Sequence, residues 1–350
     1  MSDRLGPVDA LKALACVLIV WHHLAFYGPM SELARPLAPA LLDWLSTYGR
    51  MAVQVFLVVS GFLLARSVGP GRGSPRPWPE QVGRRYLRLL VPYAGALVLV
   101  ILVAEAVRNS VGHPEVPAAP TWSQLLAHLL LVQDLVGEES LSAGVWYVAI
   151  DLQLFALAAL LCRLRGPVAV AAVAALTAIS LFWCNLDRRF DTTALYFFGA
   201  YGLGLLSAWS ARAERPWPGL AAVALLGALA LALGWRDRIA VAWVCALTLG
   251  VLQATGAMAW QAPHWVQSLA RISYPVFLVH FAVLLAVGAL WRWLWPTGAM
   301  VHALGMALVF GLSLLLGAGL QRLEQGIVRP RTALGWQMAV LAAGMLAMAI

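Results

Sequence analysis

Apolar runs of roughly 18–25 residues recur along the whole chain, each long enough to cross a ~30 Å hydrocarbon core as a helix. They fall near 8–27, 48–67, 87–107, 143–162, 167–186, 193–211, 218–235, 238–257, 272–294, 299–320 and 332–350. The pattern predicts an all-α, polytopic membrane helical bundle of about ten or eleven transmembrane helices. One further segment, TWSQLLAHLLLVQD at 121–134, is shorter, and its Gln124 and His128 suggest an interfacial or re-entrant helix.

Arginine placement orients these spans. With the N-terminus cytoplasmic, the segment at 66–88 lies inside and holds Arg66, Arg72, Arg76, Arg84, Arg85 and Arg88. The next loop then lies outside and carries Glu115, Asp134, Glu138 and Glu139 with only Arg108. Arg163, Arg165, Arg212, Arg215, Arg322, Arg329 and Arg331 also land inside. The C-terminus falls outside. GPGRGSPRPWPE at 69–80 reads as a flexible cytoplasmic loop.

Composition sharpens this picture. The 350 residues are 62% hydrophobic and 11% charged, where soluble domains carry about 25% charged residues. The net charge of +8 follows from cytoplasmic arginines that orient spans and meet anionic headgroups. No basic arm or aromatic-basic signature points to nucleic acid. Cys16, Cys162, Cys184 and Cys245 lie in or at the ends of spans without paired spacing, so neither a disulfide framework nor a metal site is expected. The first span has a mixed-charge start and no small-residue cleavage site after it, and it reads as a retained helix. The expected organisation is one membrane domain over 1–331, an extra helix over 332–350, and no soluble domain.

An ionisable residue inside a span is costly and faces the bundle interior or a watery cavity. On the first span, DALKALACVLIVWHH at 9–23, Lys12 is the chain's only lysine. Lys12 and His23 are eleven residues apart, three turns plus about 20°, so they share a face about 16 Å apart. Asp9 and Cys16 lie on that stripe, while His22 points about 100° away. Snorkelling toward headgroups explains His22 well and Lys12 about as well as function does. Ser60 and Gly61 in the second span would permit close helix packing. Asp151 and Gln153 sit in the outer third of the fourth span, where a carboxylate needs a partner or a raised pKa. ISYPVFLVHF at 272–281 holds a helix-interior proline, Pro275, and His280. Glu324 closes the tenth span.

Five of these stretches, in order, resemble the acyltransferase-3 family of bacterial integral-membrane acyltransferases. Asp9-Ala10-Leu11-Lys12-Ala13 with His23 is similar to the family's opening pattern of a basic residue, ten residues and a histidine. FLVVSGFLLARS at 56–67 resembles its Ser-Gly-Phe-Leu segment. RRYLRLLVPY at 84–93 resembles its Arg-x-x-Arg pattern at Arg85, Arg88 and Pro92. RISYPVFLVHF at 271–281 and LEQ at 323–325 resemble its later motifs. Two departures stand out. Lys12 replaces the usual arginine, keeping charge but losing the planar fork. Trp146 to Gln153 keeps one carboxylate, Asp151, of the family's glutamate pair.

The resemblance implies acyl transfer, commonly acetyl, from a cytoplasmic acyl-CoA co-substrate to a hydroxyl of a carbohydrate or glycoconjugate acceptor, in a bacterial inner membrane. No bound cofactor is implied. His23 becomes the candidate general base, or a transient acyl carrier. Asp9 would pair with Lys12 or an inside arginine, and Asp151 would orient a histidine or bind acceptor hydroxyls. Lys12, Arg85, Arg88, Ser60 and Gly61 form the acyl-CoA-binding set, arginine being suited to phosphate by its bidentate fork. Tyr274, His280 and Glu324 are secondary candidates, for which helix packing and interfacial capping are the competing reading. A transporter or flippase would also use kinked helices and buried His and Asp residues. A catalytically inactive scaffold is the third alternative.

Overall fold

The structure, a computed structural model, describes residues 4–70, 76–108, 116–324 and 330–349, with backbone alone for 323, 324, 330 and 331. Arg72, Glu115 and Arg329 lie outside the described residues, as do the side chains of Glu324 and Arg331. The α-helices run in order α1 (Gly6–Phe26), α2 (Pro29–Ala34), α3 (Pro39–Tyr48), α4 (Ala52–Ser67), α5 (Trp78–Arg108), α6 (Trp122–Leu130), α7 (Gln133–Val136) and α8 (Trp146–Leu161). They continue as α9 (Gly166–Phe182), α10 (Ala194–Ala211), α11 (Pro216–Leu233), α12 (Asp237–Ala254), α13 (His264–Leu294), α14 (Ala299–Glu324) and α15 (Pro330–Ala349). Among the described residues there is no strand.

Among the described residues, ten stretches are long and apolar enough to cross a membrane, α3 and α4 counting together as Pro39–Ser67. The shorter apolar helix α8 accounts for the eleventh expected span. This is a multi-pass, all-α membrane protein. Proline opens α2, α3, α9 and α11, where its missing N–H has no helical partner to lose. Pro92 and Pro275 instead sit inside α5 and α13. α6, too short to span, starts with a complete capping box between Thr121 and Gln124, which satisfies two orphan N–H groups at once.

The helix α5 differs from expectation. A span was expected from 87, after an arginine-rich loop, yet the helix begins at Trp78 and runs for 31 residues. Arg84, Arg85 and Arg88 are therefore helical. Glu80 accepts from Arg84 one turn later at 2.9 Å, an i,i+4 pairing that supports a polar first turn. A hydropathy window does not register such a turn.

The chain divides into two compact units. One comprises 1–15, 51–85 and 150–270. Its centre is α10, packed by α4, α9, α11 and α12. Small residues make this packing possible: a Cβ on Gly61 would lie 2.1 Å from the Tyr201 carbonyl oxygen, and one on Gly204 would lie 2.2 Å from that of Val58. The two helices cross backbone to backbone, the device of helix association in lipid.

One end of this unit gathers arginines that the placement rule assigned to the cytoplasmic side. Arg66 donates to Gln253 at 2.9 Å, Arg212 to the Arg66 carbonyl at 2.9 Å, and Arg163 to the Arg76 carbonyl at 3.3 Å. At the opposite end Arg236 bonds Leu181 and Asn185. Consecutive helices alternate between these ends, as up-and-down spans must.

The other unit comprises 16–50, 86–149 and 271–350. In it the second half of α1 and most of α13 run parallel. Cys16 approaches the Ser273 carbonyl and His23 approaches His280, each pair separated by 257 residues in sequence. α14 packs on α2, and α15 on α6. Tyr86 at the start of the unit's share of α5 donates to the Leu129 carbonyl at 2.7 Å, which fixes the last turn of α6.

Candidate active site

Two polar arrangements are buried among these helices, one in each unit. In the unit centred on α10, Arg85 reaches Asp151 with two donors, Nε at 3.0 Å and Nη2 at 2.6 Å, both to Oδ2. The guanidinium also lies 5.4 Å from the centre of the Phe155 ring. Asp151 is 1% exposed, and its Oδ1 accepts no hydrogen bond. Asp151 thus pairs with an arginine, not with a histidine as one sequence alternative had it. The two residues come from sets given different roles. They meet because Trp78 at the start of α5 bonds Ala156 of α8, and the two helices run antiparallel from there, seven residues on to Arg85 and five back to Asp151.

The remaining candidates in this unit separate into packing and pairing roles. Gly61 is buried at the α4–α10 crossing, which is the packing alternative. Asp9 lies 3.6 Å from Arg4 in an ion pair, and Gln153 accepts from the Ala194 N–H, capping α10. Lys12 is half-buried on α1, next in sequence to Ala13, which belongs to a buried apolar cluster with Ala262, Val266 and Ala270.

In the other unit, the adjacent histidines of α1 part company. His22 is buried and donates from Nδ1 to the Leu45 carbonyl at 3.0 Å, so it is an interhelical anchor and not the snorkelling residue the sequence suggested. His23 lies 2.6 Å, Nδ1 to Nε2, from His280. His280 Nδ1 lies 2.6 Å from the Phe277 carbonyl oxygen. The two imidazoles are 6% and 1% exposed, and their planes differ by 5°.

The tautomers of a neutral pair follow from the last acceptor. A carbonyl only accepts, so His280 carries its proton on Nδ1 and offers the lone pair of Nε2. His23 must then donate from Nδ1, which leaves its own lone pair on Nε2. This hydrogen-bond network assigns the protons. The result is a directed relay, Phe277 carbonyl to His280 to His23, ending in a basic nitrogen.

The segment before α8 closes against that nitrogen's ring. Gly144 has φ +80°, and a Cβ there would lie 2.8 Å from Phe277 Cζ and 3.4 Å from His23 Cε1. Glycine is required twice over, for the left-handed backbone and for the close approach. His128 holds this segment in place. Its Nε2 accepts from the Leu141 N–H at 3.0 Å and its Nδ1 donates to the Gln124 carbonyl at 2.8 Å. Gln124 in turn donates to the Glu139 carbonyl at 2.8 Å. Burial pushes the His128 imidazole down to about 4, against smaller raising effects of the Gln124 carbonyl and Glu138.

Tyr274, a secondary candidate, donates to the Leu89 carbonyl at 3.1 Å, and Arg88 is exposed on α5. Gly144, Phe277 and His128 had drawn no functional reading from the sequence. No local signal marks Gly144, since it matters only through Phe277 and His23, both distant in the chain.

Comparison with known proteins identifies the class. The model of the acyltransferase-3 family, described as an acyltransferase domain, matches residues 7–318. The chain belongs to this family. It is similar to the acyltransferase MdmB of Streptomyces mycarofaciens, 29% identical over 141 residues that cover 40% of this chain and 34% of that protein. It is also similar to the regulator of hypoxia-inducible factor 1 of Caenorhabditis elegans, 25% identical over 177 residues, 45% of this chain and 34% of that one. The chain thus matches about a third of the length of these curated relatives. No solved structure matches.

Proposed function

We propose that this protein is a membrane O-acyltransferase that moves a short acyl group, acetyl in the first instance, from acyl-CoA to a hydroxyl of a carbohydrate or glycoconjugate acceptor, with His23 as general base. The observation that carries the reading is the relay from the Phe277 carbonyl through His280, which leaves the His23 lone pair on Nε2. An alcohol is a poor nucleophile at neutral pH, and a positioned imidazole supplies the missing base. Nε2 takes the acceptor proton as the hydroxyl oxygen bonds to the thioester carbonyl carbon. The C–S bond then breaks, and the CoA thiolate recovers the proton from the imidazolium. The products are the ester and CoA thiol.

Lys12, three turns before His23 on the continuous helix α1, is assigned to the donor's phosphates. Arg85, engaged with Asp151, is assigned a structural role instead. Membership of the family and the similarity to the Streptomyces acyltransferase support the reaction class. A bacterial inner membrane is the proposed location.

The test is transfer of label from acetyl-CoA in membranes carrying matched amounts of wild type, His22→Ala and His23→Ala. His23→Ala is expected to lose at least about 100-fold in kcat, the usual contribution of a positioned base. His22→Ala keeps the relay and should retain most activity. Equal activity in all three defeats His23 as base. Absence of transfer by wild type, combined with counterflow of an unmodified sugar, would favour a transporter.

A further inference from the structure

An apolar pocket lies one helical turn past the histidine pair, in the same unit. Its walls come from Tyr27 at the end of α1, Met30 of α2, Val107 in the last turn of α5, and Leu284, Leu285 and Gly288 of α13. The empty space measures about 390 Å³ including its open mouth. Tyr27 follows His23 by four residues, and their ring centroids are 5.5 Å apart. Leu284 likewise follows His280 by four residues. Because the two histidines face each other across parallel helices, the next turn of each, about 6 Å further along, supplies a wall of the pocket.

Resting on the acyl-transfer reading, we propose that this pocket receives the acyl tail of the donor, and that Gly288 and Leu284 set the chain length the enzyme accepts. Among the described lining residues only Tyr27 carries a hydroxyl. Such a wall offers nothing to phosphates, pantetheine amides or sugar hydroxyls, and suits a hydrocarbon. With the thioester carbonyl at the His23 imidazole, an acetyl methyl reaches the threshold and a butyryl chain enters. Gly288 is the wall most open to change. A Cβ there would meet only Met30 Cε, at 3.8 Å, so larger side chains grow into the space without disturbing the helix.

The experiment compares acetyl-, butyryl- and octanoyl-CoA as donors for full-length protein, reading the butyryl-to-acetyl ratio of kcat/KM. Wild type should use butyryl-CoA within about tenfold of acetyl-CoA and reject octanoyl-CoA. Gly288→Leu should lower the ratio at least tenfold, since one methylene in an apolar pocket discriminates by about 10–200-fold. Leu284→Ala should move the optimum the other way and admit octanoyl-CoA, which keeps the proposal testable if Gly288→Leu folds poorly. Gly311→Ala, on α14 with no atom within 4 Å of the new Cβ, serves as the unchanged control.

A ratio that stays constant in both pocket variants overturns the assignment. So does a phospholipid that copurifies with wild type, detected by native mass spectrometry, and is displaced by Gly288→Leu while the ratio holds. Transfer that needs His23 but ignores Gly288 and Leu284 defeats the pocket alone. Absence of any His23-dependent transfer defeats the acyltransferase reading on which it rests.

Discussion

Arg85–Asp151 and His23–His280 are both polar pairs set among membrane helices, and they differ in what holds them there. The first is an ion pair made by two donors on one carboxylate oxygen. Its charges cancel, and its worth is the avoidance of an isolated charge in a poor solvent. The second is a chain of neutral donors and acceptors that starts at a carbonyl and ends in a lone pair. The ion pair spends both arginine donors on Oδ2 of the carboxylate. The histidine pair is open at Nε2. Under the proposed function, burial of a titratable group alone would not mark the reactive site; the direction of its hydrogen bonds would.

Breaking each pair should separate them. Arg85→Ala leaves Asp151 buried and uncompensated and should cost about 3–5 kcal/mol, read as a large fall in thermal midpoint of the detergent-solubilised protein. Arg85→Met combined with Asp151→Leu should recover most of that stability, because an apolar pair replaces a cancelled one. If the double variant is as unstable as the single, the pair does more than neutralise charge.

For the histidines the double variant should recover nothing. His280→Ala leaves the His23 tautomer unfixed and should lower kcat about 10–100-fold, less than the roughly 100–10,000-fold that a general base itself contributes. His280→Gln, whose amide can both accept and donate, should restore part of it. His23→Ala with His280→Ala should match His23→Ala alone, the non-additivity of residues acting as one unit. Additive losses would show that His280 works independently.

Gly144→Ala should cost about 1–3 kcal/mol through its positive φ, and its kcat should fall as the new methyl presses on Phe277 and the His23 ring. Unchanged kinetics with lowered stability would confine Gly144 to folding. A separate, pH-dependent effect is the titration of His128. Its folded pKa, about 4, lies below the ordinary 6.5, so the unfolded chain binds more protons between those values. The contribution is present above pH 6.5 and is lost as pH falls toward 4, by at most about 1.4 kcal/mol per pH unit. His128→Gln should flatten that part of the stability profile, as followed by thermal unfolding across pH.

Much of this architecture follows from patterns that are local in the chain. Hydropathy over some twenty residues is enough to place spans, because each helix must satisfy its own backbone in lipid. Helical periodicity likewise puts Lys12 and His23 on one stripe of α1, and distinguishes His23 from His22 before any fold is known. The first turns of α5 escaped the same reading because their glutamate and arginines pair with each other and read as loop.

Pairings across the chain were decided only by the tertiary structure. Asp151 meets an arginine 66 residues earlier, and His280 meets a histidine 257 residues earlier. Periodicity carries no information over such separations, since any of several polar residues on facing helices could answer a buried charge. The same holds for Gly144, whose need for a missing side chain exists only once Phe277 and His23 are brought against it. The sequence by itself determined which segments enter the membrane and which faces are polar. Helix packing decided which polar group each would find, because hydrogen-bond direction is a property of the assembled neighbours and not of the residue.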